Sequence, residues 1–183
     1  MDLVLAGYLS VPFAERPSLP SDWLPGRFIS VSECLTGVQH GPEFWAWHTD
    51  RDSAARFEGR LLAIGLTIAD ATALAGELRP QFAGMAERAA AECLVLRQTF
   101  EPMPHDAQPR GFEIVGVESG LMSVHSWLCH GYDRDAAVRL NRWGLLDSHA
   151  RAAAVLAWIL GLPPKEAPIT AHWTVAVIAE LPR

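Results

Sequence analysis

Ile169-Thr170-Ala171-His172-Trp173-Thr174-Val175-Ala176-Val177-Ile178-Ala179-Glu180-Leu181 is the stretch whose reading decides the fold class. Every second residue from Ile169 to Leu181 is apolar, while Thr170, His172, Thr174, Ala176, Ile178 and Glu180 form a mixed series. Successive strand side chains point to opposite faces, so the pattern predicts a strand with one face on a core and the other nearer solvent or a cleft. Working outward, further strands are expected at 3–11, 61–66, 111–118 and 123–130, with shorter ones at 27–31 and 44–48. The pair 111–118 and 123–130 reads as a hairpin with Ser119-Gly120 in its turn.

Helices fall between these strands. Asp50 or Asp52 caps a short helix through Arg56 by accepting backbone N–H bonds. Thr67-Ile68-Ala69-Asp70 resembles a capping box, and Ile68, Ala71, Leu74 and Leu78 continue at helical spacing until Pro80 ends that helix or begins the next. Phe82, Met85, Ala89, Cys93 and Leu96 form an apolar stripe on a helix running to about Arg97. Asp133 caps a short helix. Asp147 or Ser148 caps another that reaches Gly161, where Pro163 and Pro164 stop it. Strands interleaved with helices without regular βαβ spacing predict a single α+β domain, 1–183, with a mainly antiparallel β-sheet and helices packed on one face. Pro102, Pro104 and Pro109 mark an internal loop over 101–110, too short to be a domain linker. Asp50–Phe57 and Asp133–Leu140 share the pattern DRD-x-A-x-R; two capped helix starts of similar composition explain the match more simply than an internal duplication does.

Composition narrows the function classes. The chain has 183 residues, half of them hydrophobic and 20% charged, the balance of a folded globular domain. Its net charge of −6 and the lack of any Arg/Lys stripe argue against a nucleic-acid partner. The longest apolar run, 152–162, is shorter than the roughly 20 residues that cross a bilayer, and no basic segment precedes Leu3 in the manner of a secretory signal. A soluble cytoplasmic protein is expected, and the preponderance of Arg over the single Lys165 fits a GC-rich, bacterial coding bias.

Cys34, Cys93 and Cys129 are odd in number and widely spaced, with no C-x-x-C pair, which argues against a disulfide framework or a zinc knuckle. On a regular strand His125 and Cys129 would share a face about 13 Å apart, beyond proton-transfer reach, and His130 would face away. The three cysteines are therefore expected in the core. The histidines match no metal-ligand spacing, so no metal or other cofactor is expected. No nucleophile elbow, phosphate-binding loop or dinucleotide fingerprint is present.

The densest chemistry lies in Val124-His125-Ser126-Trp127-Leu128-Cys129-His130 and in Phe44-Trp45-Ala46-Trp47-His48. Large rigid aromatics near histidines are what binding surfaces are built from. Trp47, His48, His125, Trp127 and His130 are the candidate binding residues, expected close together near the ends of neighbouring strands. The leading expectation is a non-enzymatic bacterial binding protein, in its most concrete form an immunity or antitoxin-type protein whose partner is a toxin. One alternative is a small hydrolase or transferase using Cys129 or a strand histidine. The other is a small-molecule sensor with a Trp-lined pocket. No membrane partner is expected, and the sequence leaves the oligomeric state open.

Overall fold

The computed structural model describes residues 2–15, 25–38, 41, 45–117, 124–130, 138–162 and 172–183. Its strands are β1 (Leu3–Val11), β2 (Ala14–Glu15), β3 (Arg27–Phe28), β4 (Arg60–Thr67), β5 (Gln108–Val117), β6 (Val124–Ser126) and β7 (His172–Glu180). The helices are α1 (Glu33–Thr36), α2 (Arg51–Ala55), α3 (Ile68–Leu78), α4 (Ala86–Glu92) and α5 (His149–Leu160). Five strands form one sheet in the order β1-β4-β7-β5-β6, every neighbouring pair antiparallel, and β2 pairs with β3 separately. The chain is thus a single α+β domain built on an antiparallel sheet.

β7 lies at the centre of that sheet, and both of its faces are buried. Ala176 and Ile178 face a core made with Leu62, Ile64 and Leu66 of β4, Ala71, Leu74 and Leu78 of α3, and the indoles of Trp45 and Trp47. Trp173 and Val175 face the other way, onto Ile114 of β5 and Ala152, Val155 and Ile159 of α5. Helices therefore cover both faces of the sheet rather than one, and the mixed side of β7 meets α3 rather than solvent. Ala176 and Ile178 are apolar enough to serve a second core, so the polar members of that series do not decide its environment.

The helix signals hold where a side chain closes the first turn. Asp50 accepts the N–H of Ser53, Thr67 that of Asp70 and Ser148 that of Arg151, starting α2, α3 and α5. The long helix expected from Phe82 to Arg97 is instead three short pieces: 3-10 turns at Arg79–Phe82 and Leu94–Leu96 flank α4. Gly84 lies between the first two pieces and an extended Cys93 between the last two, with φ of −133° and ψ of 111°.

The two short strands shrink as well. Of 27–31 only Arg27–Phe28 is strand, and of 44–48 the described part contributes one bridge, His48 to Tyr8. Gly7 explains the second case. A Cβ there would sit 2.6 Å from Cβ of Trp47, so the missing side chain lets the tryptophan segment lie against β1 and send its indoles into the core. Ser119-Gly120, the Asp133 helix and its repeat motif, Pro163 and Pro164 lie outside the described residues. No helix among the described residues is long and apolar enough to cross a membrane.

Candidate functional site

The expected binding residues do not converge. Trp47 is wholly buried with Trp45 on the α3 side of the sheet, and Trp127 is buried on the α5 side. His48 pairs with β1, at one end of the strand order, while His125 lies on β6 at the other. His48 stacks on Phe57, their ring centroids 5.4 Å apart. His130 closes a 3-10 turn, and its side chain lies outside the described atoms. Trp47 and Trp127 are core residues because each has a closely packed apolar layer to enter, and strand position alone does not reveal that layer.

One member of the set, His125, takes part in a different cluster. β6 stops at Ser126, and Trp127–His130 form a 3-10 turn instead of continuing the strand. The Ser126 hydroxyl accepts the Leu128 N–H at 3.2 Å, closing the turn, while Trp127 and Leu128 anchor it in the α5-side core. A regular strand would hold His125 and Cys129 about 13 Å apart. The turn instead brings the Cys129 thiol and the His125 ring to within 4.8 Å of each other and of the Cys34 thiol. The expected separation of about 13 Å between His125 and Cys129 is overturned by this change of backbone, as is the expectation that Cys34 is core.

Cys34 Sγ lies 3.1 Å from His125 Nδ1, and Cys34 is exposed. Its position comes from α1, which lies against β6 and follows a polar ladder through the core. Glu113 is completely buried, pointing from β5 to the segment before α1. Ser30 donates its hydroxyl to Glu113 Oε1 at 2.5 Å, and the Val31 N–H donates to Oε2 at 2.9 Å. Ser126 adds a third hydrogen bond. Ser30 Oγ accepts the Ser32 N–H at 3.1 Å, and Ser32 Oγ lies 3.0 Å from Cys129 Sγ. α1 ends at Gly37, whose φ of 69° lets its N–H bond back to the Glu33 carbonyl.

Burial raises two of the thiols. Burial pushes the Cys129 thiol up to about 11, against the opposing hydrogen bond with Ser32. Burial pushes Cys93, packed in the α3-side core, up to about 12. Glu113 is raised by burial, which its three hydrogen bonds only partly offset. Glu33 is raised by burial too, with His125 close enough to oppose the shift. Cys34 is therefore the most exposed of the three thiols, with the His125 ring nitrogen 3.1 Å away and Cys129 a second sulfur within 4.8 Å.

Sequence reasoning placed Cys34 in the core and passed over Glu113, Ser30 and Ser32. A usable signal was present: Glu113 is the one charge in the otherwise apolar run Phe112–Val117, and a lone carboxyl in a central strand needs donors. No protein-family description, curated protein or solved structure matches the chain.

Proposed function

We propose that the protein is a small thiol-dependent hydrolase or transferase, with Cys34 as nucleophile and His125 as its base. The observation that carries this reading is the 3.1 Å separation between an exposed cysteine sulfur and a histidine ring nitrogen. A nucleophile and base within hydrogen-bond reach are the minimal apparatus of acyl transfer. As Cys34 Sγ bonds to an acyl carbon, its proton passes to His125 Nδ1. The imidazolium then returns that proton to the leaving group, which departs and leaves a thioester. Water discharges the thioester in a hydrolase, and an amine or alcohol does so in a transferase. Cys129 does not fit the nucleophile's part, because its thiol is half-buried and raised to about 11. Binding through an aromatic surface, whether to a toxin or to a small molecule, loses support because Trp47 and Trp127 are buried.

The test is acylation by activated acyl esters and thioesters. Wild type should release the leaving group in a burst and carry one acyl group on Cys34. His125→Ala should slow the burst by about 10²–10⁴-fold, the usual worth of a positioned base. Cys34→Ala should abolish it. A burst unchanged in both variants would refute the reading.

A further inference from the structure

We propose that Cys34, His125 and Cys129 together form a binding site for a soft divalent cation of the zinc type. The inference uses residues of the proposed acyl-transfer site but does not depend on that chemistry. Each of the three offers one ligand atom, and the three atoms lie within 4.8 Å of one another although Cys34 stands 91 residues before His125. Tetrahedral zinc, with bonds of about 2.3 Å to sulfur and 2.0–2.1 Å to nitrogen, sets its ligand atoms about 3.5–3.8 Å apart. Binding therefore asks the Cys34–His125 contact to open by about half an ångström and the widest pair to close by about one at most. Side-chain rotation of an exposed cysteine supplies that movement.

The chemistry of the donor set fits the ion. Two thiolates and a neutral imidazole favour zinc over calcium or magnesium, which prefer oxygen. Two thiolates also balance a divalent charge, so the half-buried site takes up no net charge when the ion enters and the thiol protons leave to solvent. Outer contacts are in place as well. The Ser32 hydroxyl can donate to Cys129 Sγ, and Glu33 lies close enough to His125 for their charges to interact. Three protein ligands leave the fourth position on the exposed side of Cys34 for water, an arrangement suited to an exchangeable ion. With the ion bound Cys34 is a ligand, so the same site is shut to acyl chemistry until the ion leaves. Zinc is thus expected to act as a reversible inhibitor of the thiol.

The experiment is a titration of reduced, metal-stripped full-length protein with zinc against a chromophoric chelator, repeated with cobalt. Wild type should take up one equivalent. The cobalt form should show thiolate-to-metal charge transfer and the intense ligand-field bands of a tetrahedral site, and zinc should protect Cys34 from alkylation. Cys129→Ser and His125→Gln should each lose affinity by at least the 10–100-fold that outer contacts alone are worth. Circular dichroism would establish that both variants are folded. Cys129→Ser should still be alkylated at Cys34 when zinc-free, which separates loss of the ion from loss of the pocket. No stoichiometric uptake by folded, reduced wild type, or equal affinity in folded variants, would overturn the site. Uptake without acylation overturns the enzyme reading alone, and acylation without uptake overturns the metal site alone.

Discussion

A carboxyl group removed from water is costly unless donors surround it, and Glu113 is met by Ser30, Ser126 and the Val31 N–H. The same three contacts tie the segment before α1 and the end of β6 to one point on β5. In the proposed reaction Glu113 is a positioning residue, since its contacts join the segments that carry Cys34 and His125. Glu113→Ala should lower stability by about 1–3 kcal/mol by stranding buried donors. It should also slow acylation of Cys34. Glu113→Gln keeps one acceptor and should restore part of both losses. Denaturant melts and burst rates on the same samples check this; a variant destabilised but unaltered in rate would make Glu113 purely structural. Little of this was legible beforehand, because Ser30 and Glu113 are 83 residues apart and their meeting depends on which strand edge the chain passes.

Between elements, the difference between a strand and a turn four residues long controls the chemistry. β1, β4, β7, α3 and α5 were legible because their periodicity extends over two or more turns or pleats and their caps are polar residues in the right place. The strand expected through His130 failed because Trp127, Leu128 and Cys129 suit a buried turn as well as a buried strand. The choice rests on the Ser126 hydroxyl capturing the Leu128 N–H. Ser126→Ala and Ser148→Ala each remove a hydroxyl that accepts a backbone N–H. Ser148→Ala should cost about 1 kcal/mol, and Ser126→Ala more, because it also takes a hydrogen bond from the buried Glu113. Only Ser126→Ala should weaken zinc binding and change the reactivity of Cys34, since the Ser148 hydrogen bond lies within the first turn of α5 and holds no residue of the cluster. Equal effects of the two variants on the cluster would refute the local origin of the turn.

For the whole molecule, His172 makes stability fall in mild acid. Burial lowers His172 below its ordinary 6.5, against the opposing charges of Glu77 and Asp70. The unfolded chain then binds a proton that the folded chain refuses, so stability drops as pH falls below about 6.5. Glu180 follows at lower pH. Burial raises it, but hydrogen bonds and charge from Arg60 and Arg110 more than compensate, holding it below its ordinary 4.5. Its stabilisation is complete above 4.5 and is lost as pH falls further. Glu113 has the opposite sign, contributing most below 4.5 and losing that contribution as pH rises through its raised folded value. His172→Gln should flatten the dependence of melting temperature between pH 7 and pH 5, leaving the Glu180 limb. An unchanged slope in that variant would remove His172 from the account.

Activation of Cys34 by His125 in the proposed reaction is open to site-resolved alkylation of the native, reduced, metal-stripped protein. Brief exposure to iodoacetamide at pH 7, followed by peptide mass mapping, should label Cys34 well ahead of Cys129, with Cys93 unmodified. In folded His125→Ala the Cys34 rate should fall while the other two stay as they were. Equal labelling of Cys34 in wild type and His125→Ala, or faster labelling of Cys129 than of Cys34, would contradict the account.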